Sequence, residues 1–310
     1  MRSQQSLAGS WQFKLDPEGT ANVSTIDFDR QIPVPMPWQA AFPELQQYSG
    51  YAWYRRSIDL DEKWLTGEVL LQFGAVDYWC LVYVNGHLAG EHEGGYTPFS
   101  LAVRKYLHAG SNEITVKVYD SAQDGIFIPR WPNFPDDPGR SAPPFNAEDV
   151  PHGKQEWYVN VGGIWQDVNL VAVPRRWIEQ VHVTTDIHSG TVTVEIGLAG
   201  TSGQQTNNET QARISEQPNA PVRLTTGARE GSYVATIQVV NHRLWDTYDP
   251  YLYTLTLTLD STGDTTDEVT VRFGFREVST RDGKIFLNGE PIYLLSALDQ
   301  DMYADTIYTV

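Results

Sequence analysis

The chain has 310 residues, with 22 Lys plus Arg against 39 Asp plus Glu, a formal charge of −17, 41% apolar and 12% aromatic residues. That length leaves room for about two domains of ordinary size, and the aromatic and apolar content excludes a disordered tail. The acidic balance, with no clustered Lys and Arg, argues against nucleic-acid binding, and no run approaches the ~20 apolar residues of a membrane-spanning helix. The single cysteine, Cys80, cannot form an internal disulfide, and the N-terminus lacks the apolar stretch of a signal peptide, so a cytoplasmic location is expected.

Taken in chain order, the apolar residues repeat with a period of two almost throughout. Residues 68–73, 78–85, 113–119, 167–173 and 178–185 read as strands, rich in Val, Ile, Tyr and Trp and bounded by turn formers. Asn85-Gly86 between two apolar arms predicts a tight hairpin, because this pair tolerates the positive φ of a primed turn. Eight of the ten Trp precede residue 175, so composition changes there. The stretch from Trp177 to about Arg276 is Thr-rich and alternates at 191–196, 233–240 and 251–259, which suits a sandwich of about 100 residues. Residues 201–208 read as a polar loop within it. Residues 282–295 read as a hairpin followed by an apolar strand that has no predicted partner. No segment carries convincing helical periodicity, and the fold class is all-β.

Several runs resemble one enzyme family. Gly50-Tyr51-Ala52-Trp53-Tyr54-Arg55-Arg56, Phe73-Gly74-Ala75-Val76-Asp77, Val84-Asn85-Gly86 and Gly90 through Phe99 are similar to the N-terminal sugar-binding domain of glycoside hydrolase family 2, which includes β-galactosidases, β-glucuronidases and β-mannosidases. Gly162-Gly163-Ile164-Trp165-Gln166-Asp167-Val168 resembles the segment closing that domain. Leu244-Trp245 with Pro250 to Tyr253 resembles the immunoglobulin-like second domain, and Gly274-Phe275-Arg276 with Leu287-Asn288-Gly289 the entry to the catalytic barrel. The resemblance implies a jelly-roll domain over 1–176, an immunoglobulin-like sandwich over 177–276 and the start of a (β/α)₈ barrel over 277–310. It also implies retaining hydrolysis of a β-glycoside by two barrel glutamates about 5–5.5 Å apart. A barrel takes about 250 residues, so no catalytic carboxylate is assigned in this chain. Where Tyr293-Leu294 is followed in the family by Arg-Gly, this chain has Leu295-Ser296.

Sugar rings stack their C–H faces on aromatics while planar polar groups read their hydroxyls. Residues 124–153 carry seven of the 18 prolines together with Arg130, Trp131, Phe134 and Phe145, and a long stretch without secondary structure is more often functional than filler. Lys154, Gln155, Trp157, Tyr158 and Asn160 follow, which in the family approach the barrel mouth. Arg130, Trp131, Lys154, Trp157, Tyr158 and Asn160 are therefore the candidate carbohydrate contacts. The competing reading is that Trp131 and Trp157 only pin the loop or the domain interface. Trp157 stands where many relatives acting on galactosides or glucuronides carry an acidic residue, so the sugar stays open.

Glu91-His92-Glu93 lacks the His-x-x-x-His spacing of a zinc helix and reads as part of a structural Gly-rich loop. His182 lies opposite Val181, Val183 and Ile187 and should be solvated, and Cys80 reads as a small core residue. No cofactor or metal is expected. Asp299, Gln300 and Asp301 read as solvated residues of an exposed tail.

Three functions follow. The chain is the non-catalytic front of a family 2 hydrolase with at most weak carbohydrate binding; or a stand-alone glycosidase or esterase using Asp124, Glu148, Asp149 or Glu156; or an assembly module that self-associates through its C-terminal strand.

Overall fold

The computed structural model describes residues 2–121, 161–200, 210–229, 231–260, 266–298 and 303–309, and these form two compact units. The first holds the described residues from Ser3 to Ala172 with 303–309; the second holds Arg2 and Val173–Leu298.

The first unit runs β1 (Ser3–Ser6), β2 (Gly9–Leu15), β3 (Arg30–Val34), β4 (Gly50–Leu60), β5 (Glu68–Phe73), β6 (Val76–Asp77), β7 (Trp79–Val84), β8 (His87–Glu93), β9 (Phe99–Ala102), β10 (Gly110–Asp120), β11 (Gly163–Ile164) and β12 (Val168–Val173). A six-stranded sheet of order β3-β2-β4-β10-β7-β8 faces a four-stranded sheet of order β1-β12-β5-β9, and β6 pairs with β11 as a two-stranded ribbon. Alternation along each strand sends one set of side chains inward. Trp11, Phe13, Tyr54, Val82, Val116 and Val118 from the larger sheet meet Val69, Leu71, Phe73, Val168 and Leu170 from the smaller one. Cys80 lies in this core, fully buried, as its position predicts, and burial pushes its thiol pKa up.

The outward face of the six-stranded sheet is also apolar. Tyr51, Tyr119 and Trp79 sit on one rung of the antiparallel ladder, with Trp53, Lys117 and Leu81 two residues along. All six are buried. The Lys117 ammonium lies 4.7 Å from the Tyr51 ring and 5.3 Å from Trp53, and it donates to the Gly19 carbonyl at 3.1 Å. Tyr51, Trp53, Trp79 and Tyr119 are therefore packing groups.

The second unit runs β13 (Arg176–Asp186), β14 (Thr191–Gly200), β15 (Thr210–Ile214), β16 (Val222–Thr226), β17 (Ser232–Gln238), β18 (Tyr253–Leu259), β19 (Asp267–Phe273), β20 (Val278–Arg281), β21 (Lys284–Leu287) and β22 (Glu290–Ile292). Sheets β13-β14-β17-β16 and β15-β18-β19 enclose a core of Val192, Val194, Ile196, Ala235, Ile237, Leu255, Leu257 and Phe275. His182 is exposed, as expected, while residues 201–208 lie outside the described residues. The hairpins at Asn85-Gly86, Asp282-Gly283 and Asn288-Gly289 all hold positive φ at both turn residues (50° and 77°, 50° and 68°, 53° and 84°). Asn85 is further locked by donating to Tyr106 O and Asn112 Oδ1, each at 2.8 Å, and by accepting from Glu113 N at 2.8 Å.

Two expectations change. The apolar strand expected after the last hairpin is not formed: β22 stops at Ile292, and Tyr293 and Leu295 are 87% and 90% exposed. A strand is held by its ladder, and 293–298 pair with no described strand. Glu91-His92-Glu93 end strand β8 rather than lying in a loop. No helix among the described residues is long and apolar enough to cross a membrane.

Arg2 anchors the second unit. Its Nε and Nη2 donate to Asp267 Oδ1 and Oδ2, both at 2.9 Å, and Nη2 also reaches the Ile178 carbonyl at 2.5 Å. Asp267 is fully buried and accepts from Ile178 N–H at 2.8 Å. Removing one partner of a buried pair strands the other, so Arg2→Ala should cost this unit about 3 kcal/mol. The check is a lowered urea midpoint at unchanged slope; a midpoint equal to wild type would count against the pairing.

Candidate functional site

Arg130, Trp131, Lys154, Trp157, Tyr158 and Asn160 lie outside the described residues, as do Asp124, Glu148, Asp149, Glu156, Asp299, Gln300 and Asp301. The described residues nearest to the first six in sequence do form a defined constellation at one end of the jelly roll. Asp120 and Ser121 close β10 and are 1% exposed; Val161 and Gly162 resume the described chain ahead of β11.

Gln39 ties these two points together. Its Nε2 donates to Asp120 Oδ2 and to the Tyr48 carbonyl, each at 3.2 Å, and its Oε1 accepts from Gly162 N–H at 2.8 Å. Trp38 N–H donates to the Gly162 carbonyl at 3.2 Å, and Ser49 Oγ to the Asp120 carbonyl at 2.9 Å. Both amide groups of Gln39 are thereby used in a buried setting, where an unmade bond is costly. A Cβ on Gly162 would stand 2.3 Å from Trp38 and 2.5 Å from the Asp120 carboxylate. Gly163 has a φ of +100°, and a Cβ there would stand 2.1 Å from Tyr54 Oη, which explains why this position requires glycine. Burial first, then the charges of Asp16 and Asp120, pushes the Tyr48 hydroxyl pKa upward, and that hydroxyl donates to the Tyr51 carbonyl at 2.7 Å.

The β6–β11 ribbon completes the site. Val76 and Ile164 face the core, so Ala75, Asp77 and Trp165 share its other face. Gly95 lies directly over the Asp77 carboxyl: a Cβ there would be 2.1 Å from Oδ2. Trp165 Nε1 donates to the Gly95 carbonyl at 2.8 Å, and Tyr96 meets the Trp165 ring edge-on at 5.4 Å while remaining 53% exposed. Burial pushes the Asp77 carboxyl up to about 7. Burial, then the charges of Asp77, Tyr308 and Asp120, pushes the Tyr96 hydroxyl up to about 12.

The quoted runs 73–77, 90–99 and 162–168 thus meet in space at this end. Asp77 and Tyr96 were within them, but nothing in their patterning marked an acid lying under the Gly95 backbone or an exposed ring. Gln39 and Asp120 carried no motif signal at all. His92 stacks on Phe99 at 4.1 Å and shares a 3.0 Å hydrogen bond with Thr97 Oγ1, with its pKa lowered chiefly by burial. Among the described residues no group of three or more His, Cys, Asp or Glu could hold a metal ion. Gln39→Ala should destabilise this unit by about 1–3 kcal/mol, by leaving the Gly162 amide buried without its acceptor, and chemical unfolding of the purified chain measures it.

The chain matches the family description "Glycosyl hydrolases family 2, sugar binding domain" over residues 26–174 and "Glycosyl hydrolases family 2" over 177–276. A β-glucuronidase of Paenibacillus borealis is 28% identical over 306 residues, covering 94% of this chain and 48% of the relative. A β-galactosidase of Thermoanaerobacter pseudethanolicus is 28% identical over 256 residues, covering 80% and 31%. In fold, the crystal structure of Ruminococcus gnavus β-glucuronidase superposes with a TM-score of 0.73 at 22% identity, over 100% of this chain and 51% of that one. Bifidobacterium dentium β-glucuronidase complexed with coumarin-3-O-glucuronide does so at 0.75 and 22%, over 100% and 54%. The chain spans about half the length of these β-glucuronidases and a smaller share of the β-galactosidase. With two adjoining family matches on two all-β units, the chain belongs to glycoside hydrolase family 2 and carries its sugar-binding domain and the domain that follows it.

Proposed function

We propose that this chain is the accessory front of a retaining β-glycoside hydrolase, divided at 1–176, 177–276 and 277–310, and that its own contribution is a weak carbohydrate contact. The observation that carries the reading is the Gln39–Asp120–Gly162 clamp. It fixes the sandwich end from which residues 122–160 depart and to which they return. Arg130, Trp131, Lys154, Trp157, Tyr158 and Asn160 belong to that stretch, and they combine ring faces with hydroxyl-reading polar groups. Hydrolysis by the whole protein then needs two carboxylates, one protonating the leaving oxygen and one attacking the anomeric carbon. The names of the relatives, mostly β-glucuronidases, favour a β-glucuronide as the glycoside. A lone buried cysteine supports a cytoplasmic setting.

Saturation-transfer NMR with phenyl β-D-glucuronide and phenyl β-D-galactoside tests this. Binding near 1 mM is expected, stronger for the glucuronide, and weakened about tenfold in Trp131→Ala and Trp157→Ala. Absence of saturation transfer from both ligands rejects the carbohydrate contact. Turnover of either glycoside that vanishes on one substitution among Asp124, Glu148, Asp149 and Glu156 rejects the accessory reading in favour of a stand-alone hydrolase.

One observation favours a second reading, self-association. Tyr293, Leu294, Leu295 and Leu298 form an exposed apolar run. Light scattering of the full chain should then give a mass above the monomer that falls to the monomer in a Leu294→Asp, Leu295→Asp variant; a monomer in both rejects it.

A further inference from the structure

Among the described Phe, Tyr and Trp residues of the first unit, Tyr96 and Tyr303 are the exposed ones, at 53% and 41%. A single exposed ring on a surface is ordinary. These two belong to distant segments of the chain, yet both are held by Trp165 or by what packs on it. Tyr96 meets the Trp165 ring at 5.4 Å with the two planes at 68°. Tyr303 exchanges backbone hydrogen bonds of 2.8 and 3.0 Å with Ile307, and Ile307 packs against Trp165, Ala75 and Val161.

Residues 303–309 grip Trp165 through further contacts. Tyr308 meets its ring at 6.4 Å, and Thr309 Oγ1 donates to its carbonyl at 2.8 Å. Ile307 and Thr309 are both buried, and Ile307 holds a φ of 57°, a left-handed conformation that a β-branched residue keeps only when its surroundings impose it. The Trp165 indole in turn donates to the Gly95 carbonyl at 2.8 Å, immediately before Tyr96. One tryptophan therefore links the turn that carries Tyr303 to the strap that carries Tyr96.

We propose, on the carbohydrate-contact reading, that Tyr96 and Tyr303 present ring faces to the C–H faces of a β-linked glycoside, and that Trp165 is the positioning residue that sets Tyr96 for this contact. Crossed at 68°, Trp165 covers at most one face of Tyr96, and the exposure of the ring leaves a face open to solvent. Tyr51, Trp53, Trp79 and Tyr119 are buried and have no such face to offer. Each stacking contact between a sugar and a ring is modest, so its strength depends on how little order binding must impose. A ring already fixed by its neighbours spares that cost. The two phenol hydroxyls give the rim donors and acceptors for sugar hydroxyls.

Thr309 and Ile307 act through Trp165 rather than on the ligand. Without the Thr309 hydroxyl the Trp165 carbonyl loses that bond, and without the Ile307 side chain Trp165 loses packing contact. Either loss loosens the indole, its bond to the Gly95 carbonyl and the orientation of Tyr96. The order of effects follows. Removing a ring removes a contact, whereas removing a brace only lowers the fraction of molecules with the ring in place.

The test is saturation-transfer NMR on the full chain with phenyl β-D-glucuronide and phenyl β-D-galactoside, together with nuclear Overhauser contacts from the sugar protons to ¹³C-labelled tyrosine rings. Contacts to the Tyr96 and Tyr303 rings are expected. Tyr96→Ala should weaken binding about tenfold, and Tyr96→Phe less than about twofold because the ring face is kept. Thr309→Val should weaken it about threefold and speed exchange of the Trp165 indole N–H, and Thr309→Ser should restore both. A contact missing from either ring in the wild type overturns the platform whether or not any variant folds. An indole exchange rate equal in the wild type and Thr309→Val rejects the brace. Binding that depends on Trp131 and Trp157 but is unchanged in Tyr96→Ala overturns the platform and leaves the carbohydrate-contact reading standing, and no binding by the wild type overturns both.

Discussion

Close approach of backbone to side chain, possible only at glycine, organises the end of the jelly roll where the family's sequence signatures meet. Gly95 rests on Asp77, Gly162 on Trp38 and Asp120, and Gly163 on Tyr54. Any Cβ at these points would force apart the loop, the ribbon and the six-stranded sheet. The polar network depends on that closeness, because Gln39 reaches both Asp120 and the Gly162 amide only while the strands stay within hydrogen-bond distance. The clamp is therefore a consequence of packing.

The same economy governs the aromatics. A sandwich sheet ordinarily buries one face, but here the larger sheet buries residues on both. Trp11, Phe13 and Tyr54 fill the intersheet core, whereas Tyr51, Trp53, Trp79 and Tyr119 fill an outer layer. Lys117 is accommodated in that layer because two ring faces and the Gly19 carbonyl receive its ammonium. Tyr96 at this end is exposed, set edge-on against Trp165. Among the described residues of the first unit, Trp11, Phe13, Tyr51, Trp53, Tyr54, Trp79 and Tyr119 serve packing.

Strand identity was legible because alternation and turn chemistry are local. Asn85-Gly86 and Asn288-Gly289 adopt positive φ for the reason that marked the first of them in the sequence, and Cys80 and His182 fall on the faces that alternation assigned. The C-terminal region was not legible. Tyr293 to Leu298 has the composition of a strand, yet a strand is stable only against a ladder, and partners are a property of the fold. Residues 303–309 carry no periodicity, and their seat is formed by Ala75, Val161 and Trp165, far away in sequence. The candidate site divides in the same way. The glycine runs announced a family, but the role of Gln39, a single polar residue in an unremarkable segment, depends on partners 81 and 123 positions away.

By itself, the sequence determined the all-β class, the order of two sandwiches, the primed hairpins and membership of a family whose domains recur in register. These follow from local dihedral preference, side-chain alternation and motif spacing. Only the tertiary structure decided which aromatics pack on which face, which acid is buried, and where residues 303–309 rest. Those outcomes depend on contacts between distant segments, and a carboxyl such as Asp77 takes its chemistry from the groups folded over it rather than from its neighbours in the chain.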